Sequence, residues 1–408
     1  MVRAGLVVLV IALFGVGPGT AWAQTITEQQ WHLDELRVRA VHDVVRGDGV
    51  VVAVVDSGVD DTVPDLVGAL LPGAGFGSAQ GTDGTEDNDG HGTAMAALIA
   101  GRGVDGGALG VAPGVRILPV SVGSDGEKFT TTAVAAGITW AVDNGADVIN
   151  LSLTSAATLT PDLLRAVNYA FDHDIVVVAG TGNDGVEHVG APANIRGVIA
   201  VAGTEPGGIP WASSNVGPET VLAAPAKSIV TAMPLSVSDT GFASVDGTSA
   251  ATALVSGAAA LVRARYPEMS AGNVVNRLIV TAVDLVGGGR DSATGFGLVN
   301  PVGAVGDSVP SVERNPLAPP PRSSAPPSPI PSASSAPPVA AEGESGVPGP
   351  PVGSGGRFAV AFGGLLLVVV FVVVAALLLG RRRRPVVVRG PRVAELPPPS
   401  DDFWRPAP

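Results

Sequence analysis

Short runs of Val, Ile and Ala at residues 50–55, 117–122, 148–153, 175–179 and 198–202 carry little of the polar alternation that a half-exposed strand shows. Strands of that kind are covered on both faces, as in the parallel sheets of α/β proteins. Helical patterns separate and follow them, at 91–100, 132–143, 162–171, 248–265 and 271–282. The alternation predicts an α/β fold of three layers, a mainly parallel sheet between helices. Ligands of such sheets bind beyond the carboxyl ends of the strands. Asp56 and Asn183 both stand at such an end.

Three short motifs occupy the positions this plan makes useful. Asp56 closes a strand in Val-Val-Asp56-Ser-Gly, His91 lies between glycines in Asp-Gly-His91-Gly-Thr, and Ser249 opens a small-residue helix in Asp-Gly-Thr-Ser249-Ala. A serine hydroxyl is a weak nucleophile until an imidazole takes its proton, and a carboxylate must hold that imidazole in the correct tautomer. The chain order Asp, His, Ser differs from that of chymotrypsin-like enzymes and of α/β-hydrolases. The other four histidines, His32, His42, His173 and His188, lack glycine on both sides. The helix start at Ser249 also offers free amides and a positive dipole end for an oxyanion.

In this order and context the chain resembles the subtilisin-like serine proteases. The resemblance implies catalytic roles for Asp56, His91 and Ser249. It makes Asn183, in the Gly-rich loop after the run at 175–179, the side-chain donor of an oxyanion hole. It also matches Asp147-Val-Ile-Asn-Leu-Ser-Leu153 to the segment that pairs with substrate backbone, so Ser152 and Leu153 are expected to line the substrate cleft. Two departures stand out. Thr154 and Ser155 replace the family's glycine, and Ala253 replaces a proline four residues after the nucleophile. Placed in the first turn of its helix, Ala253 would leave the backbone at Ser249 less restrained than proline does.

Rival chemistries fit less well. Asp56-Ser57-Gly58 has the form of an aspartic-protease motif, but that chemistry needs two carboxylates sharing a proton, and no second copy exists. The acidic run at 83–90 lacks the alternating carboxylates and terminal Glu of an EF-hand loop, and is expected to be a solvated acidic loop. With no His-Glu-x-x-His and no cysteine, no zinc signature is present. No metal or cofactor is expected.

The rest of the chain places this chemistry. Arg3, an apolar core at 6–16 and Ala21-Trp22-Ala23 form a signal peptide over 1–23, with an extension at 24–48 that is too short for a folding pro-domain and wraps the peptidase domain of 49–307. A Pro/Ser/Ala-rich linker at 308–357 precedes an uninterrupted apolar stretch at 358–380, long enough for a transmembrane helix. Arg381 to Arg384 follow at once, so the tail at 381–408 is cytoplasmic and the enzyme domain faces outward in a single-pass arrangement. Residues 24–307 hold 13 Lys and Arg against 31 Asp and Glu. A surface so acidic repels nucleic acid. The absence of cysteine in an exported chain leaves stability to core packing alone.

Within the subtilisin-like group the architecture is most similar to the mycosins, membrane-anchored proteases of type VII secretion systems, although mycosins commonly carry cysteines. The resemblance implies exported protein substrates and a membrane-complex partner. The reading is a membrane-anchored serine endopeptidase that cleaves exported proteins. Its alternative is a docking component of a secretion complex in which cleavage is secondary.

Overall fold

The computed structural model describes residues 24–123, 129–154, 159–306 and 308–318. The expected signal peptide, the apolar span at 358–380, Arg381 to Arg384, the tail and most of the linker lie outside the described residues. Among the described residues no helix is long and apolar enough to cross a membrane.

Three short helices open the chain, α1 (Ile26–Gln29), α2 (Trp31–Glu35) and α3 (Val38–His42). Strands β1 (Val51–Asp56), β2 (Ala74–Gly75), β3 (Arg116–Ser121), β4 (Val148–Leu151), β5 (Val176–Gly180), β6 (Ile199–Glu205), β7 (Ile209–Pro210) and β8 (Leu222–Pro225) form one sheet in the order β2-β3-β1-β4-β5-β6-β7, with β8 also paired to β6. Every pairing is parallel except that of β6 with β7. A separate antiparallel hairpin joins β9 (Ile229–Ala232) to β10 (Phe242–Val245). The longer helices are α4 (His91–Ala100), α5 (Thr131–Asp143), α6 (Pro161–Asp172), α7 (Thr248–Arg265) and α8 (Ala271–Val280), with the short α9 (Pro301–Gly306) near the end.

Sequence dictates where these helices start. Thr130, Thr160 and Ser270 each accept a backbone N–H from the first turn of α5, α6 and α8, and Pro161 occupies the first turn of α6, where its missing N–H costs nothing. The central strands β1, β4 and β5 are buried along nearly their whole length, as their unbroken apolar composition predicts. Helices α5 and α6 pack together against the sheet, and α4 packs with α7. In α7 the small side chains permit very close approach: a Cβ on Gly257 would lie 2.7 Å from the Val111 Cβ. Packing at that distance explains a run of Ala and Gly where a larger residue would overfill the core.

Both end segments of the described chain pack onto the sheet-and-helix core. The segment at 24–48 is helical and enters the core through Leu33, Leu36, Val38 and Val41, all buried. Gln30 bonds to the backbone of Leu109 and Val230, and the Trp31 indole N–H donates to Ser228 O. At the other end, residues 308–318 continue along the domain beyond 307. Asn273 and Asn276 of α8 donate to the carbonyls of Val312 and Pro310, and Asn315 donates to Gly197 O.

Candidate active site

Asp56 is the last residue of β1 and is fully buried, and His91 is the first of α4, half-buried. Their approach is possible because a Cβ on Gly92 would lie 2.1 Å from Gly58 O, so only glycine fits after the histidine. His91 Nδ1 lies 2.7 Å from Asp56 Oδ1, which also accepts the Ser57 N–H at 2.8 Å. Burial disfavours the imidazolium, but the charge and hydrogen bond of Asp56 outweigh it, with Asp89 and Asp87 adding to the attraction. The imidazole is pushed up to about 9.

Ser249 is the second residue of α7. Its hydroxyl donates to Ser152 O at 3.1 Å, and in this rotamer it has no hydrogen bond to His91. Its backbone N–H has no acceptor among the described residues, as expected for the first turn of a helix. Across the cleft, Asn183 follows the end of β5. Its Oδ1 accepts the Thr248 N–H at 2.8 Å and the Thr248 hydroxyl at 2.9 Å, so both protons of Nδ2 are left for a ligand. The loop carrying it is shaped by Gly182, at φ +113°, and by Asn215, whose Oδ1 accepts the amides of Asp184 and Val186.

A cleft of about 450 Å³ brings His91, Ser249, Asn183, Ser152 and Thr154 together. Leu153 packs instead against the hydrophobic core. Ser152 reaches the cleft edge, but its side chain is buried and points inward, donating to Ser249 O at 2.9 Å. Strand β4 stops at Leu151 rather than at 153, which frees 152–154 to meet α7. Thr154 stands exposed on the cleft wall and donates to Gly180 O at 2.8 Å, anchoring its backbone where the family glycine would be free.

Two sequence expectations need correction here. The acidic run is not uniformly solvated, because Asp87 is buried. Its carboxylate accepts from Ser57, Gly90 and Thr93, satisfying amides of the first turn of α4, although burial still pushes its pKa up. Ala253 is the sixth residue of α7 and lies beyond the first turn. At that depth a proline would remove a ladder hydrogen bond, the one directed at the carbonyl of Ser249 itself.

Sequence reading also missed the buried polar chain beneath Ser249. Ser256 Oγ donates to Asn150 Oδ1 and Asn150 Nδ2 donates to Ser152 Oγ, each at 2.9 Å. The two polar positions inside apolar runs, Asn150 in β4 and Ser256 in α7, were the available signal. Among the described residues no cluster of His, Asp and Glu is arranged to hold a metal ion.

A carboxylate-bound imidazole and a serine at a helix start, facing each other over the carboxyl ends of a parallel sheet, define a serine hydrolase. Residues 47–297 match the subtilase family, so the chain belongs to that family and is a subtilisin-like serine endopeptidase. It is 38% identical to subtilisin DY of Bacillus licheniformis over 259 residues, 62% of this chain and 90% of that protein. Among solved structures it is similar to MycP1 from Mycobacterium smegmatis, at TM-score 0.60 and 29% identity, covering 71% of this chain and 87% of that one. It is also similar to MycP1 from the ESX-1 type VII secretion system, at TM-score 0.62 and 28% identity, covering 73% and 91%.

Proposed function

We propose that this protein is a membrane-tethered endopeptidase of a type VII secretion system, cleaving exported proteins through Asp56, His91 and Ser249. The observation that carries the chemistry is the 2.7 Å contact between His91 Nδ1 and Asp56 Oδ1, with Ser249 in the same cleft. Likeness to the MycP1 structures supports the cellular setting. The apolar stretch at 358–380 followed by four arginines supports the tether and an outward-facing domain.

In this reading the Ser249 hydroxyl turns from Ser152 O to the free Nε2 of His91, which takes its proton as Oγ attacks the scissile carbonyl. The new C–O bond leaves a tetrahedral oxyanion. The Asn183 Nδ2 and the Ser249 N–H donate to it, and such donors act where charge develops rather than on the ground state. Asp56 stabilises the imidazolium without being protonated. His91 then protonates the leaving amine, and water attacks the acyl-enzyme by the same route.

The test uses the full-length protein in membranes and a fluorophosphonate probe. Labelling that disappears in Ser249→Ala supports the nucleophile, and unchanged labelling overturns it. Accessibility of the domain to external protease in intact cells tests the topology. A domain protected on the cytoplasmic side would sink the proposed orientation.

A further inference from the structure

Asp87 takes no part in the proton transfers above, yet it anchors the residues that carry them. It is 5% exposed and stands four residues before His91. Its Oδ1 accepts from the Ser57 hydroxyl at 2.9 Å and the Gly90 N–H at 2.8 Å. Its Oδ2 accepts from the Thr93 N–H at 2.9 Å and the Thr93 hydroxyl at 2.5 Å. The Ser57 oxygen in turn accepts the Gly92 N–H at 2.9 Å. The amides on both sides of His91 therefore end on the Asp87–Ser57 pair.

Ser57 also belongs to the other half of the acid–base pair. Its N–H donates to Asp56 Oδ1 at 2.8 Å, and its carbonyl accepts the Ser121 hydroxyl at 2.8 Å. One residue thus joins the end of β1 to the first turn of α4. A carboxylate at a helix N-terminus is favoured by the orphan amides and the dipole, but neither requires burial or a bond to the neighbour of Asp56. Burying a charge is costly unless every lone pair is used, and here both oxygens are doubly engaged.

We propose that Asp87 is a positioning residue which, through Ser57, sets the contact between Asp56 and His91 and so aims the imidazole at Ser249. The inference rests on the triad reading given above. Asp87 acts by geometry and also as one of three carboxylates, with Asp56 and Asp89, whose charge bears on His91. The two effects separate by mutation: Ser57→Ala cuts the link and keeps the charge, whereas Asp87→Asn removes the charge and replaces one of the two acceptor oxygens with a donor.

The experiment measures kcat and KM on a peptide substrate as a function of pH, per active site titrated with fluorophosphonate. A displacement of reacting groups by about 1 Å costs on the order of 10²-fold in rate. Asp87→Asn is expected to lower kcat by roughly that factor with KM little changed, and to move the acid limb of kcat/KM to lower pH. Ser57→Ala is expected to lower kcat by about tenfold with the limb in place, and the double variant to fall short of the product of the two, as coupled neighbours do. A kcat per titrated site within about twofold of the parent in both single variants overturns the proposal. If Asp87→Asn fails to fold, Ser57→Ala decides by the same criterion. Failure of the parent to label, or labelling that survives Ser249→Ala, instead removes the triad reading and this inference with it.

Discussion

Ser152 and Ser249 are bonded to each other twice, in opposite senses. The Ser152 hydroxyl donates to the Ser249 carbonyl at 2.9 Å, and the Ser249 hydroxyl donates to the Ser152 carbonyl at 3.1 Å. The first bond comes from the buried Ser152 hydroxyl and is backed by Asn150 and Ser256, so it fixes the peptide of Ser249. The second lies at the cleft and can be exchanged by a single rotation about χ1.

Replacing Ser152 with Ala tests the buried member of this pair. Asn150 Nδ2 loses its acceptor and Ser249 O its side-chain donor. Leaving a buried polar group unsatisfied costs about 1–3 kcal/mol. Thermal unfolding should show that loss, accompanied by a lower kcat. Unchanged stability together with unchanged kcat would mean the chain beneath the nucleophile is dispensable.

Asn183→Ala removes the proposed side-chain oxyanion donor and also the acceptor of two bonds from Thr248. Loss of such a donor lowers kcat by about 10²–10³-fold with little change in KM. Steady-state kinetics on a peptide ester and the matching amide measure it. A loss confined to KM would assign Asn183 to substrate positioning.

The acid limb of activity should sit far above the ordinary histidine range. In the proposed mechanism His91 must be neutral to accept the serine proton, and its imidazole is pushed up to about 9 by Asp56, against burial. In the free enzyme kcat/KM should therefore rise with pH up to about 9. A pH–rate profile with its limb near 6.5 would show that the imidazolium is not held by the carboxylate in solution.

His32 makes the opposite demand at low pH. It is fully buried, neither ring nitrogen has a hydrogen-bond partner among the described residues, and burial lowers its pKa to about 3. The unfolded chain takes up a proton below about 6.5 that the folded chain refuses, so stability is complete above that pH and falls as pH drops from 6.5 towards 3. The slope for one such group is about 1.4 kcal/mol per pH unit. His32→Phe should flatten the decline in melting temperature over this window. Parallel curves for the two proteins would assign acid lability to other groups.

How much of this was legible depended on segment length and on whether a neighbour was local. The bounds of α4 and α7 could be read directly, since glycine precedes each and a small-residue run fills it. Helices α1 to α3 span four or five residues, too few to show a period, and β8 is only Leu-Ala-Ala-Pro. Asp56 and His91 were recognisable as motifs because their chemistry is carried by adjacent glycines and strand ends. Asp87 was not, because its acidic neighbours Asp83, Glu86 and Asp89 set the local composition, while its burial depends on Ser57, thirty positions away. Ala253 was misplaced for a different reason: counted from the helix start at Thr248 it is the sixth residue, already past the first turn, where a proline costs a ladder hydrogen bond.

The path of residues 308–318 has a mechanical consequence. The chain leaves the described domain along α8 and the loop at Gly197, held by Asn273, Asn276 and Asn315. A pull transmitted from further along the polypeptide meets the four bonds of these three side chains, two of them between Asn273 and Val312, which can slip and re-form. Behind the strap lie α9 and, packed on it, α7 with Ser249 in its first turn, so the strap is placed as strain relief for the cleft.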